Sequence, residues 1–73
     1  MSVSDILKQF TNINFNLVLI DDYTDEIIFS DAAREIKNEP ERFLPVVAME
    51  PPRRAGEVIL RVDADDVEPF PYD

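Results

Sequence analysis

The chain has 73 residues, no cysteine and no histidine, and it carries sixteen acidic residues against seven basic ones, a net charge of −9. This length supports one domain with a thin core. The missing cysteines exclude disulfides, thiolate metal sites and a thiol nucleophile, and without histidine the usual general base near neutral pH is missing too. The charge opposes nucleic acid and anionic lipid and favours a basic partner, unless it serves solubility alone.

Hydrophobic residues make up 45% of the chain, enough for a folded core. No apolar run approaches the ~20 residues of a membrane span. The start, Met1-Ser2-Val3-Ser4-Asp5, lacks the basic-then-apolar pattern of a signal peptide, and a cytoplasmic location is the expectation.

In chain order, Val3, Ile6, Leu7 and Phe10 fall at helical spacing and predict a short amphipathic helix. Ser2 and Asp5 stand where a capping box would begin it, and Thr11-Asn12 breaks it. The stripe is expected to pack on a sheet, or else to serve as a dimerisation surface.

Residues 15–20 form the clearest strand. Phe15, Leu17 and Leu19 share one face, Val18 and Ile20 the other, so the strand should be central. Asp21 to Asp25 is a polar connection of hairpin length, leading to a second strand over residues 26–29. Ser30-Asp31 is placed to cap a short helix over residues 32–38, which Pro40 ends.

Residues 43–49 predict a third strand, with Pro45 at an edge or ahead of the ladder. Pro51 to Gly56 is a loop, and residues 57–62 make a fourth strand. Val58, Leu60 and Val62 point inward there, Glu57 and Arg61 outward, and Ile59 falls on the wet face. The expected fold is α+β: a small antiparallel four-stranded sheet, in the order helix-β-β-helix-β-β, with short helices on one face. The domain spans residues 1–62, and residues 63–73 form an acidic, aromatic-containing C-terminal tail.

Chemistry has little to work with. The hydroxyls of Ser2, Ser4, Ser30, Thr11 and Thr24 have no histidine to activate them. A single glycine, Gly56, allows neither a dinucleotide-binding nor a phosphate-binding glycine loop. Asp21, Asp22, Asp25 and Glu26 cluster in the first hairpin connection, but their spacing is not that of an EF-hand, and aspartate is common in turns for its bonds to backbone. Arg53-Arg54, at the second hairpin tip, is a small basic footprint in so acidic a chain. The expectation is a protein that is no enzyme and needs no metal or cofactor.

The least ordinary stretch is the tail. Asp63, Asp65, Asp66 and Glu68 are interleaved with Phe70 and Tyr72, a pattern suited to a basic groove with apolar pockets. Pro69 and Pro71 stiffen it.

The run from Val18 to Ile36 resembles the strand, acidic turn, strand and small-residue helix start of short ββαββ proteins carried by phages, plasmids and other mobile elements of Gram-positive bacteria. The resemblance covers residues 15–62; the leading helix and the acidic tail depart from it. Those proteins mostly have no assigned activity, so no functional residue carries over. The resemblance implies a context in which small acidic proteins bind host proteins, some of them as anti-restriction or anti-CRISPR inhibitors that occupy a nucleic-acid site.

Two expectations follow. One is an acidic module that binds a basic, nucleic-acid-handling protein through Asp21, Asp22, Asp25, Glu26, Asp63, Asp65, Asp66, Glu68, Phe70 and Tyr72, without touching nucleic acid or membrane. The other is a structural or accessory domain that dimerises through its helix stripe or an edge strand near Val46 and Val47, its acids serving solubility.

Overall fold

The structure, a computed structural model, describes residues 1–64. It contains α1 (Val3–Leu7), β1 (Asn16–Asp21), β2 (Ile27–Ala32), two successive 3-10 helices (Ala33–Asn38 and Pro40–Phe43), β3 (Val46–Glu50) and β4 (Glu57–Val62). The strands form one sheet in the order β2-β1-β4-β3.

The class is α+β, and both expected hairpins are present: β1 pairs antiparallel with β2, and β3 with β4. The sheet is not wholly antiparallel, however. β1 and β4 lie side by side in parallel, from Asn16 opposite Glu57 to Asp21 opposite Val62. Composition explains the order. Each hairpin contributes its more apolar strand to the centre, where both faces are covered, and leaves the strand with Ser30 and Asp31, or with Ala48 and Glu50, at an edge. The direction follows from the connection. Residues 33–45 cross the sheet instead of turning back, which is the dozen or so residues a parallel crossover needs.

That crossover, with α1, covers one face. Val3 and Leu7 of α1, Ala33 and Ile36 of the first 3-10 helix, and Leu44 pack on Leu17, Leu19, Leu60 and Val62. A fully buried Leu or Ile contributes roughly 1.5–3 kcal/mol, so these few side chains carry much of the fold. Val3 and Leu7 are spent in this core, which removes them as a dimerisation surface. Phe10 and Phe15 close the turn between α1 and β1, their ring centroids 5.0 Å apart.

Local signals had mixed outcomes. The capping box at Ser2 is formed: the Asp5 N–H donates to Ser2 Oγ (3.2 Å) and the Ser2 N–H to Asp5 Oδ2 (3.1 Å). Ser30-Asp31 does not cap a helix. β2 runs through both residues to Ala32, past a register shift near Leu19 and Ile20, and the 3-10 helix after it has no side-chain cap. Pro40 behaves as expected: Glu39 before it is extended (φ −117°, ψ 143°), and the helix stops there.

Phe43 lies in the second 3-10 helix and not in β3. Pro45 precedes the ladder and bridges to Ser2, so that the Val46 N–H donates to the Met1 carbonyl at 2.8 Å. Ile59 is not on a wet face: it is 2% exposed and forms a second, smaller cluster with Val18 and Ile20 on the side away from the helices.

Contacts with the domain continue past β4. The Asp63 N–H donates to the Pro45 carbonyl (3.0 Å), and Ala64 packs against the main cluster.

Candidate functional site

The parallel seam has a spatial consequence for the acids. Because Asp21 lies opposite Val62, the β1–β2 connection and the exit of β4 meet at one end of the sheet, and the Asp22 N–H donates to the Val62 carbonyl at 2.8 Å. Over residues 21–26 and 61–64, five acids (Asp21, Asp22, Asp25, Glu26 and Asp63) face one base, Arg61. The other described residues hold seven acids against six bases, close to neutral, while residues 65–73 add four acids and no base. The net charge is therefore concentrated in the segments that meet at this end and the segment that leaves from it.

Most of the acids in the turn have structural employment. Asp21 is buried. Its Oδ1 accepts from the Tyr23 N–H (3.0 Å) and its Oδ2 from the Thr24 hydroxyl (3.1 Å), an aspartate-built turn of the kind expected where a side chain bonds backbone two residues on. Thr24 Oγ1 in turn accepts from the Glu26 N–H (3.3 Å). The turn closes through Asp25, at φ 64°, whose N–H donates to the Asp21 carbonyl (2.8 Å).

Asp22 and Asp25 converge on Arg61. Its Nε donates to Asp22 Oδ1 at 2.7 Å, one Nη donates to Asp25 Oδ1, and the other donates to Glu50 Oε2 at 2.8 Å. The guanidinium thus ties the β1–β2 turn to β4 and to the edge strand β3, using the planar multi-donor geometry that distinguishes arginine from lysine. The hydrogen bonds it donates to Asp22 first, then to Asp25 and Glu50, push Arg61 above its ordinary range and keep it charged. Three carboxylates around one cation still leave a negative excess.

Glu26 is exposed and unconstrained by any side-chain bond among the described residues. Tyr23, at the tip of the same turn, is 82% exposed, although its backbone is fixed by Asp21. Sequence reasoning passed over Tyr23; the signal was an aromatic residue inside an otherwise polar turn. It also passed over Arg61, whose signal was a lone base in an apolar strand. Asp63 is half-buried beside Pro45. Asp65, Asp66, Glu68, Phe70 and Tyr72 lie outside the described residues.

The hydroxyls are likewise committed or remote. Ser2 caps α1, Thr24 is bonded to Asp21, and Ser30 lies on edge strand β2. Arg53 reaches Glu50 at 3.5 Å, an exposed pair of small energetic weight. No helix of the described residues is long and apolar enough to cross a membrane. No protein-family model, curated protein or solved structure matches the chain.

Proposed function

We propose that this protein is an acidic binding module that occupies the basic, nucleic-acid-contacting surface of a protein partner, and so inhibits or modulates it. The observation that carries this reading is the meeting of the β1–β2 turn and the β4 exit at one sheet end, with residues 65–73 continuing from there. Duplex DNA carries one charge per ~1.7 Å, and surfaces that bind it are lined with Lys and Arg; a localised block of carboxylates competes for that lining where scattered ones do not. Within the turn, Glu26 and Tyr23 are the groups left to meet a partner, since Asp21 is bound internally and Asp22 and Asp25 are shared with Arg61. In this reading the module is an inhibitor of the anti-restriction or anti-CRISPR type, acting without cofactor or catalysis.

The test is capture on the immobilised protein at 0.1 M and 1 M salt, across which the screening length falls from about 10 Å to about 3 Å. A nucleic-acid-binding partner should be held at low salt, released at high salt and displaced by added duplex DNA. Its retention should fall with Glu26→Lys and with Asp65→Lys/Asp66→Lys. A partner held equally at both salts, or indifferent to DNA and to these substitutions, rejects the reading.

A second reading, an accessory domain that self-associates, is favoured by edge strand β3, where Val47 is 54% and Met49 57% exposed. Sedimentation decides it: a β3-mediated dimer persists at 1 M salt and dissociates with Val47→Lys.

A further inference from the structure

Arg61 is the one base in the segments that meet at the acidic end of the sheet. Its side chain is 18% exposed, while those of Asp22 and Asp25 are 44% and 76% exposed. The cation is thus enclosed, and the carboxylates it holds face outward. Each gives one oxygen, Oδ1, to the guanidinium. Glu50, on β3 and so across β4 from the turn, accepts from the remaining Nη at 2.8 Å.

Two of the carboxylates that a basic partner would seek are therefore already held by a cation of the same chemistry. A guanidinium fixed on a neighbouring strand has no translational freedom left to lose, and it competes at the high effective concentration of an intramolecular ligand. An external cation binds only the fraction of molecules in which Asp22 and Asp25 are released, and its apparent affinity falls by that fraction. Glu50 keeps release from being prohibitive. When Arg61 leaves the turn it retains one carboxylate, and it is not stranded as an enclosed charge without a partner, the costly outcome for such an ion.

We infer that Arg61 is an autoinhibitory contact: it holds Asp22 and Asp25 on the chain's own guanidinium, and a basic partner engages the turn fully only by displacing Arg61 toward Glu50. This deepens the proposed function and rests on it, since it assigns the regulation of the same turn. The consequence runs against intuition. The residue that ties the turn to β4 and β3 also weakens the turn as a binding surface, so its loss lowers the stability of the fold and raises the affinity for a cation.

The probe is a hexa-arginine peptide, titrated into the full chain at 0.1 M salt by calorimetry, with the Arg61 Nε–H followed by NMR. Arg61→Gln frees both aspartates. An exposed ion pair is worth a factor of about 1.4–5, so two give a gain in affinity of roughly 2–25-fold. Arg54→Gln changes the net charge equally, but Glu57, where β4 begins, is already ~13 Å along the strand from Arg61, beyond the ~10 Å screening length, and Arg54 lies further off; its effect should stay below about 2-fold. Arg61→Lys keeps the net charge but not the fork that spans three carboxylates. It too should bind tighter than wild type, by a smaller factor, and it covers the case in which Arg61→Gln does not fold. In wild type the Arg61 Nε–H resonance should move as the peptide binds. The inference alone is overturned if the peptide binds but Arg61→Gln gains no more than Arg54→Gln, if Arg61→Lys binds as wild type does, or if the Nε–H stays in place. Absence of peptide binding to wild type and to every variant overturns the proposed function along with it.

Discussion

Ile59 offers the sharpest test of the second apolar layer. It is 2% exposed, and it packs with Val18 and Ile20 on the face that carries no helix. Truncating a buried isoleucine to alanine costs roughly 2–5 kcal/mol, the lost transfer energy plus the cavity. At roughly 0.05–0.15 kcal/mol per residue, the whole domain holds about 4–11 kcal/mol. Ile59→Ala therefore removes a large share of the total. With a urea slope of about 1 kcal/mol per M for so small a domain, the midpoint should fall by about 2 M or more. The melting temperature should fall by at least about 8 °C, at 4–8 °C per kcal/mol. Far-UV circular dichroism against urea reads this directly, with Leu60→Ala as a buried reference and Val47→Ala as an exposed one, the latter expected within about 0.5 kcal/mol of wild type. If Ile59→Ala unfolds alongside Val47→Ala, the helix-free face is wet and the second cluster contributes nothing.

Three further outcomes are expected. Arg61→Gln releases Asp22, Asp25 and Glu50 from their shared cation, so the urea midpoint should drop, and drop more at low salt, where the unmatched carboxylates repel most; an unchanged midpoint at both salts would mean the three ion pairs are stability-neutral. The Asp5 carboxyl, held below its ordinary 3.8 by the Ser2 backbone N–H and then by the Ser2 hydroxyl, should titrate low by NMR; because the folded value is depressed, its stabilisation is present above the ordinary value and lost as pH falls through the folded one. Ser2→Ala removes the hydroxyl but keeps the N–H, so it should bring that midpoint only part of the way back toward 3.8, and loss of the cap on the Asp5 N–H should cost about 1 kcal/mol at neutral pH and most of that still at pH 2. Gly56 sits at φ 75° with open space where a Cβ would be, so Gly56→Ala should destabilise by roughly 1–2 kcal/mol from backbone strain alone, and Gly56→Asn by less; equal stability of all three by thermal melting would contradict the left-handed geometry.

Short-range patterns in this chain were legible and long-range ones were not. Alternation and turn residues located both hairpins, and the two apolar faces of residues 17–20 marked β1 as central. The same logic applied to Val58–Ile59–Leu60 would have marked β4 as central too. Reading Ile59 as a wet-face exception hid the two-sided burial that draws β1 and β4 together. Parallel pairing itself leaves no local trace, because its partners lie some forty residues apart and its direction depends on the path of residues 33–45. The failed cap at Ser30-Asp31 has a similar cause: cap residues are also tolerated in an edge strand, and sheet pairing to Leu17 and Val18 outweighed the local preference. For the acidic turn, the type of residue was legible and its employment was not, since Arg61 is remote in sequence from Asp22 and Asp25.

The β1–β4 seam also dictates an order of assembly. Each hairpin closes over a handful of residues on a microsecond scale, whereas the seam must bring together segments centred about forty residues apart, an entropic cost of about 3 kcal/mol on the (3/2)RT ln n scaling alone. Until it closes, Leu17, Leu19, Leu60 and Val62 have no common interior. On a ribosome, the first hairpin therefore waits, with its apolar strand unshielded, for β4 to emerge. In pulse-labelled exchange, amides bonded across the seam should be the last in the sheet to gain protection.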